Sequence, residues 1–217
     1  MGRSLIRRLA AALLLLAPLS VAPTSARALD IDRVATRQGT ILALSGTFVD
    51  GDASRVLTAL TREPIMEVQL SSPGGSMKAG LDVWMTLRAQ QVATRVADGR
   101  ECASACFFAF LGGVLRTVDP SGRLGVHMHS AASSDTYVGK LREILGARQF
   151  SIDDRIRLIV LLNEQMSARA AGMIAAYAVR MGVAIEVFDP LFAAPHVDIH
   201  GLTRQEMRQL NGVNVGG

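Results

Sequence analysis

The sequence predicts an α/β protein: a mainly parallel sheet built from strand–helix repeats, with helices toward the C-terminus. Three observations carry this. Short runs rich in Val, Leu and Ile are separated by segments whose apolar residues recur every three or four positions. The joints between them are short and hold Gly, Pro, Ser and Asp. Strands alternating with helices in this way pair in parallel, and right-handed crossovers wind them into a spiral.

The first 28 of the 217 residues stand apart from that pattern. Arg3, Arg7 and Arg8 form a positive start, Leu9 to Leu19 is apolar, and Ala26-Arg27-Ala28 is a small-x-small cleavage signal. This is the make-up of a secretory leader, cleaved after Ala28, and the apolar run is too short to span a bilayer comfortably. The expected organisation is a signal peptide over 1–28 and one domain over 29–217, periplasmic or secreted. The leader holds four of the 23 basic residues and none of the 19 acidic ones, so the remaining chain carries 19 of each. The basic balance belongs to the leader, and a nucleic-acid partner is not implied.

Residues 32–38 are polar, and Thr40 to Gly46 reads as the first strand. A turn over 47–52 leads to a helix from Ala53 to Leu60, with Asp52 as its cap and Val56, Leu57 and Leu60 on one face. Glu67 to Leu70 is the second strand, residues 71–75 a loop, and Ser76 to Gln90 a helix. Val92 to Val96 is the third strand. The segment at Ser104 opens a helix that runs to Leu111, and Val114–Val118 and Arg123–Met128 are strands joined by a turn at Asp119-Pro120-Ser121-Gly122. Beyond a small polar stretch over 130–136, Tyr137–Gln149 and Asp153–Met181 have helical spacing, the second with a kink expected near Gly172. Pro190 and Pro195 bracket a loop, Val197–Ile199 is extended, and Thr203-Arg204-Gln205-Glu206 is a capping box for a last short helix.

Two cysteines, Cys102 and Cys106, flank Ser104. Export permits a disulfide, although residues four apart on a regular helix are poorly aimed for one. Bridge and free thiols both remain open. A zinc site lacks its usual second pair of ligands. Ser104 itself has two readings: a cap on the helix that follows, or a nucleophile held at a strand-to-helix corner beside free backbone amides.

Four pieces fit one chemistry. Ser72-Pro73-Gly74-Gly75 lies between a strand and a helix, where glycines let backbone N–H groups face a ligand oxygen. Ser104 comes at the mouth of the next helix, His127 ends a later strand, and Asp198 lies near the C-terminus. Ser-Pro-Gly-Gly, Ala-Ser-Ala before an apolar helix, and Pro-x6-His together resemble the proteolytic subunit of Clp protease, within the Clp protease/crotonase superfamily. With the leader, Cys-Ala-Ser-Ala-Cys and Gly-Val-His, the chain resembles exported bacterial members of that superfamily. The likeness covers about Ile41 to His129 well and the C-terminal part weakly.

That resemblance implies a Clp protease/crotonase-like spiral. It implies Ser104 as nucleophile, His127 as general base, and the N–H groups of Gly75 and Ala105 as the oxyanion hole. Asp198, one residue out of register, is the nearest carboxylate for a third triad member. His129 is an alternative base, and Lys140 is the alternative in a Ser–Lys arrangement such as membrane-linked members use. His196, Asp198 and His200 alternate as metal ligands on a strand would, but alternating His in a loop is more often solvated, so no metal and no cofactor are expected. The function implied is an exported serine hydrolase. It would be a peptidase acting on peptides or unfolded segments, a homo-oligomer by family habit, with no ATPase because ATP is scarce outside the cytoplasm. The alternative is a non-catalytic peptide- or acyl-binding member of the same superfamily.

Overall fold

A computed structural model describes residues 28–131 and 134–214. The leader expected over 1–28 therefore lies outside the described residues, except for Ala28. The chain is α/β, with eight strands in one mixed sheet whose pairs are mostly parallel. In order it runs β1 (Asp30–Ala35), β2 (Thr40–Phe48), α1 (Asp52–Thr61), β3 (Glu67–Gly75), α2 (Met77–Ala89), β4 (Thr94–Val96), β5 (Glu101–Ala103) and α3 (Ala105–Leu111). There follow β6 (Arg116–Val118), β7 (Arg123–Val126), α4 (Asp135–Gly146), α5 (Ile152–Met181), α6 (Phe188–Ala193), β8 (His200–Gly201) and α7 (Arg204–Gln209).

The central path is β1-β2-β3-β5-β7-β8, and it forks at β3. Val68 and Gln69 of β3 pair with β4, whereas Ser72 pairs with Cys102 of β5, all in parallel. The fork separates a β4–β6 arm from a β5–β7 arm and brings the C-terminal ends of β3, β5 and β7 side by side. Ligand sites in such sheets form beyond the C-terminal strand ends, and this is where the serine and histidine sit. The two outer pairs, β1–β2 and β7–β8, are antiparallel.

Three sequence expectations change here. The polar stretch near residue 32 contains β1, an edge strand that needs apolar contact on one side only. The helix cap is Gly51, in the left-handed region (φ 95°), while Asp52 is the first helical residue. The buried Asp52 carboxylate accepts from the Val49 N–H at 2.8 Å and from Arg55 at 2.7 Å. The loop expected over 71–75 is strand, since β3 continues to Gly75 opposite Phe48.

The core lies between the sheet and helices α2 and α3, and every residue of α3 is buried. The two helices approach at Gly80, where an added Cβ would lie 2.4 Å from the Ala105 carbonyl oxygen. Only a glycine permits that approach. Among the described residues Arg116 is the one guanidinium in the interior, 1% exposed. It donates to the carbonyls of Asn211 at 2.7 Å, Gly212 at 3.1 Å and Gly113 at 3.2 Å, which ties the end of the chain to β6. Burial, then the neighbouring Arg88, lowers its pKa to about 10. The long helix α5 is continuous through Gly172 but buries only Ile174, Tyr177, Ala178 and Met181 near its end. Ile156, Val160 and Leu161 further up are exposed.

Candidate active site

Ser104 follows β5 and precedes α3. Its backbone has φ 56° and ψ −122°, outside the regions ordinary residues adopt. A conformation of this kind costs about 1–3 kcal/mol. Surrounding bonds impose it: the Ser104 N–H donates to Gly125 O at 3.0 Å, and the Ser104 carbonyl accepts from Phe107 N–H at 3.0 Å. The hydroxyl makes no cap hydrogen bond. Ser104 thus stands at the cap position of α3 without its side chain capping the helix.

The two cysteines beside it are joined in a disulfide, with Cα atoms 5.1 Å apart. Cys102 is in β5, not in the helix, and the corner supplies the approach that a regular helix would not.

Gly74 and Gly75 face this corner. Gly74 has φ 111°, and a Cβ there would lie 2.6 Å from Ser104 Cβ and 3.1 Å from the Ala105 nitrogen. Gly75 has φ 137°, and its Cβ would lie 2.3 Å from the Phe48 carbonyl oxygen. Ser72, buried, accepts the Gly74 N–H at 3.0 Å and so holds the end of β3 from inside. The Ser76 N–H donates to Phe48 O at 2.8 Å. Gly75, the last residue of β3, borders the same cavity as Ser104. Ala105 is the first residue of α3, where an amide has no partner within the helix.

Gly75, Ser104, Ala105, His127 and His129 border one cavity of about 30 Å³. The structure thus brings together the expected nucleophile, both oxyanion donors and both candidate bases. β7 ends at Val126, so His127 and His129 both lie beyond the strand, and both border the cavity. His127 Nδ1 lies 3.0 Å from Met128 O. A carbonyl only accepts, so that bond puts the proton on Nδ1 and leaves Nε2 as the acceptor. No hydrogen bond joins His127 to Ser104 among the described residues.

Burial lowers the His127 pKa below the ordinary imidazole value, with His196 adding to this and the Met128 carbonyl opposing it. His129 is lowered by the same main cause, then by His196 and His127. The rings of His127 and His196 lie 5.2 Å apart.

Asp198 is not brought to the bases. It is exposed in a turn closed by its own N–H donating to Pro195 O at 3.0 Å, and no hydrogen bond links its carboxylate to either histidine. The extended stretch expected over 197–199 is mostly this turn, and the strand begins at His200. His196 therefore turns to His127, while His200 lies 3.0 Å from Glu206, so the alternating set is dispersed. Among the described residues, no group of three His, Cys, Asp or Glu side chains is arranged to hold a metal ion. Lys140 is on the surface of α4, paired with Glu143 at 2.8 Å, and does not border the cavity.

Sequence reasoning missed the Met128 carbonyl and the walls Ile174 and Leu191. The carbonyl carries no residue-type signal. The walls come from helices far along the chain and reach the site through tertiary packing alone. No protein-family model matches the chain, and no curated protein matches it.

Proposed function

We propose that this chain is an exported serine hydrolase with a Clp protease/crotonase-like spiral fold, a peptidase that acts on peptides or unfolded segments without an ATPase. The observation that carries the reading is the backbone of Ser104. A non-glycine residue is held at φ 56° and ψ −122° with its hydroxyl free of any cap bond, at a cavity shared with His127, Gly75 and Ala105. Strain of this kind persists where a site needs a side chain aimed that way. The forked parallel sheet, with its site beyond the strand ends, supports the fold assignment.

In this reading His127 Nε2 takes the Ser104 proton as Oγ attacks a peptide carbonyl. The Gly75 and Ala105 N–H groups receive the oxyanion, and one such donor is typically worth about 2.7–4 kcal/mol. The imidazolium returns its proton to the departing amine, and a water deprotonated by the same ring then releases the acyl group from Oγ. The Met128 carbonyl holds the ring tautomer, the task a carboxylate performs in a triad. The exposed apolar residues of α5 support a homo-oligomer.

The absent Ser104–His127 bond is what favours the second reading, a non-catalytic binder of peptide or acyl carbonyls. In unliganded sites such bonds are often long and tighten only with substrate. The test is labelling of the purified mature protein by a fluorophosphonate near neutral pH. Labelling lost on Ser104→Ala supports the hydrolase, and a wild-type protein that never labels leaves only the binder.

A further inference from the structure

We propose that the Ser104 cavity selects a methyl-sized group on the acyl side of the scissile bond, so that the enzyme cleaves after alanine. This rests on the hydrolase reading above. The cavity measures about 30 Å³. A cavity of about 150 Å³ holds a benzene ring of six carbons, so this one has room for a carbon or two.

Its walls explain both the size and the character. Met77, Phe108, Val126, Ile174 and Leu191 line it with apolar surface, and its only polar side chains are Ser104, the half-buried His127 and the exposed His129. Nothing there would neutralise a Lys or Arg side chain. The walls are also braced. Ile174 and Leu191 are 1% and 3% exposed. Tyr177 on α5 donates to the Phe108 carbonyl on α3, and its ring lies 5.6 Å from Phe108 and 4.2 Å from Trp84. The segment after α6 is fastened beside His127 by the Met128 N–H donating to Ala194 O at 2.9 Å. Packed interiors yield little to an extra methylene, so a longer side chain is refused rather than accommodated. Glycine fits but forgoes the methyl burial.

The experiment compares kcat/KM for N-blocked peptide thioesters that differ only in the acyl-side residue: Gly, Ala, Leu or Phe. One or a few methylenes in a pocket are worth about 10–200-fold, so Ala is expected to exceed Leu and Phe by about 100-fold or more. Leu191→Ala removes one wall and should bring Leu within about 10-fold of Ala. Leu191→Val, a smaller change, should move the ratio the same way if the larger one fails to fold. Fluorophosphonate labelling of Ser104 separates the two levels of inference. A protein that labels but cleaves Leu or Phe thioesters as fast as Ala refutes the selectivity and leaves the hydrolase standing. One that labels but cleaves 4-nitrophenyl acetate and no alanyl peptide refutes the peptide assignment. No label and no cleavage overturn both.

Discussion

The strain at Ser104 makes a prediction about stability that is independent of any substrate. Ser104→Gly removes the Cβ that makes φ 56°, ψ −122° costly. The relief is about 1–3 kcal/mol. Glycine costs about 0.5–1 kcal/mol more backbone entropy on folding. The hydroxyl contributes no cap bond that would be lost. Taking middle values, Ser104→Gly is stabilised by at most about 1 kcal/mol, or about 2–4 °C in Tm for a chain of this size. Ser104→Ala keeps the Cβ and the strain, so it should melt within about 0.5 kcal/mol of wild type. Thermal unfolding of the three proteins over residues 29–217, disulfide intact and followed by circular dichroism, gives the order directly. Glycine melting at or below alanine would mean that the corner is relaxed, and the main support for an active serine would fall with it.

Two further outcomes are expected. Gly74→Ala combines φ 111° with a Cβ 2.9 Å from Ala103 O and 3.1 Å from the Ala105 nitrogen, so it should cost about 2–4 kcal/mol in urea unfolding and lower kcat by about 100-fold as that amide is displaced; a variant with unchanged kcat would show that the Ala105 amide takes no part. The histidines set the pH dependence: burial lowers both His127 and His129 in the folded chain, below the unfolded value of about 6.5. Their contribution to stability is therefore full above about pH 6.5 and lost as pH falls through the lower folded values. For the same reason the acidic limb of kcat/KM should have its midpoint below 6.5, and a midpoint above it would exclude His127 as a base in this environment.

How much of this could be read in advance depended on the range of the cause. Gly75, Ser104, Ala105 and His127 sit at joints between elements, where local chemistry in the sequence marks a turn, a corner or a strand end. The same locality made the α/β alternation legible. Asp198 failed because a carboxylate's use depends on the path of the chain around it, and here the turn at Pro195 carries it outward. The helix α6 was hidden by Pro190, yet Pro190 lies in the first turn, where an N–H has no helical partner to lose. Leu191 and Ile174 carry no signal of their own, being ordinary apolar residues whose meaning comes from what they face. Arg116 read as an unremarkable strand residue, because nothing local announces that its donors will meet carbonyls about a hundred residues away.

The Cys102–Cys106 bond encloses Ser104 in a small covalent ring, and the ring outlasts the fold. When the oxidised chain denatures, sheet and helices dissolve but residues 102–106 stay cyclised. The denatured ensemble then keeps part of the curvature that the native corner demands, so part of the conformational cost at Ser104 is present on both sides of the unfolding equilibrium and cancels. Substitutions at Ser104 should accordingly weigh more in the reduced chain than in the oxidised one. The ring does not merely brace the serine; it changes the reference against which the serine's strain is counted.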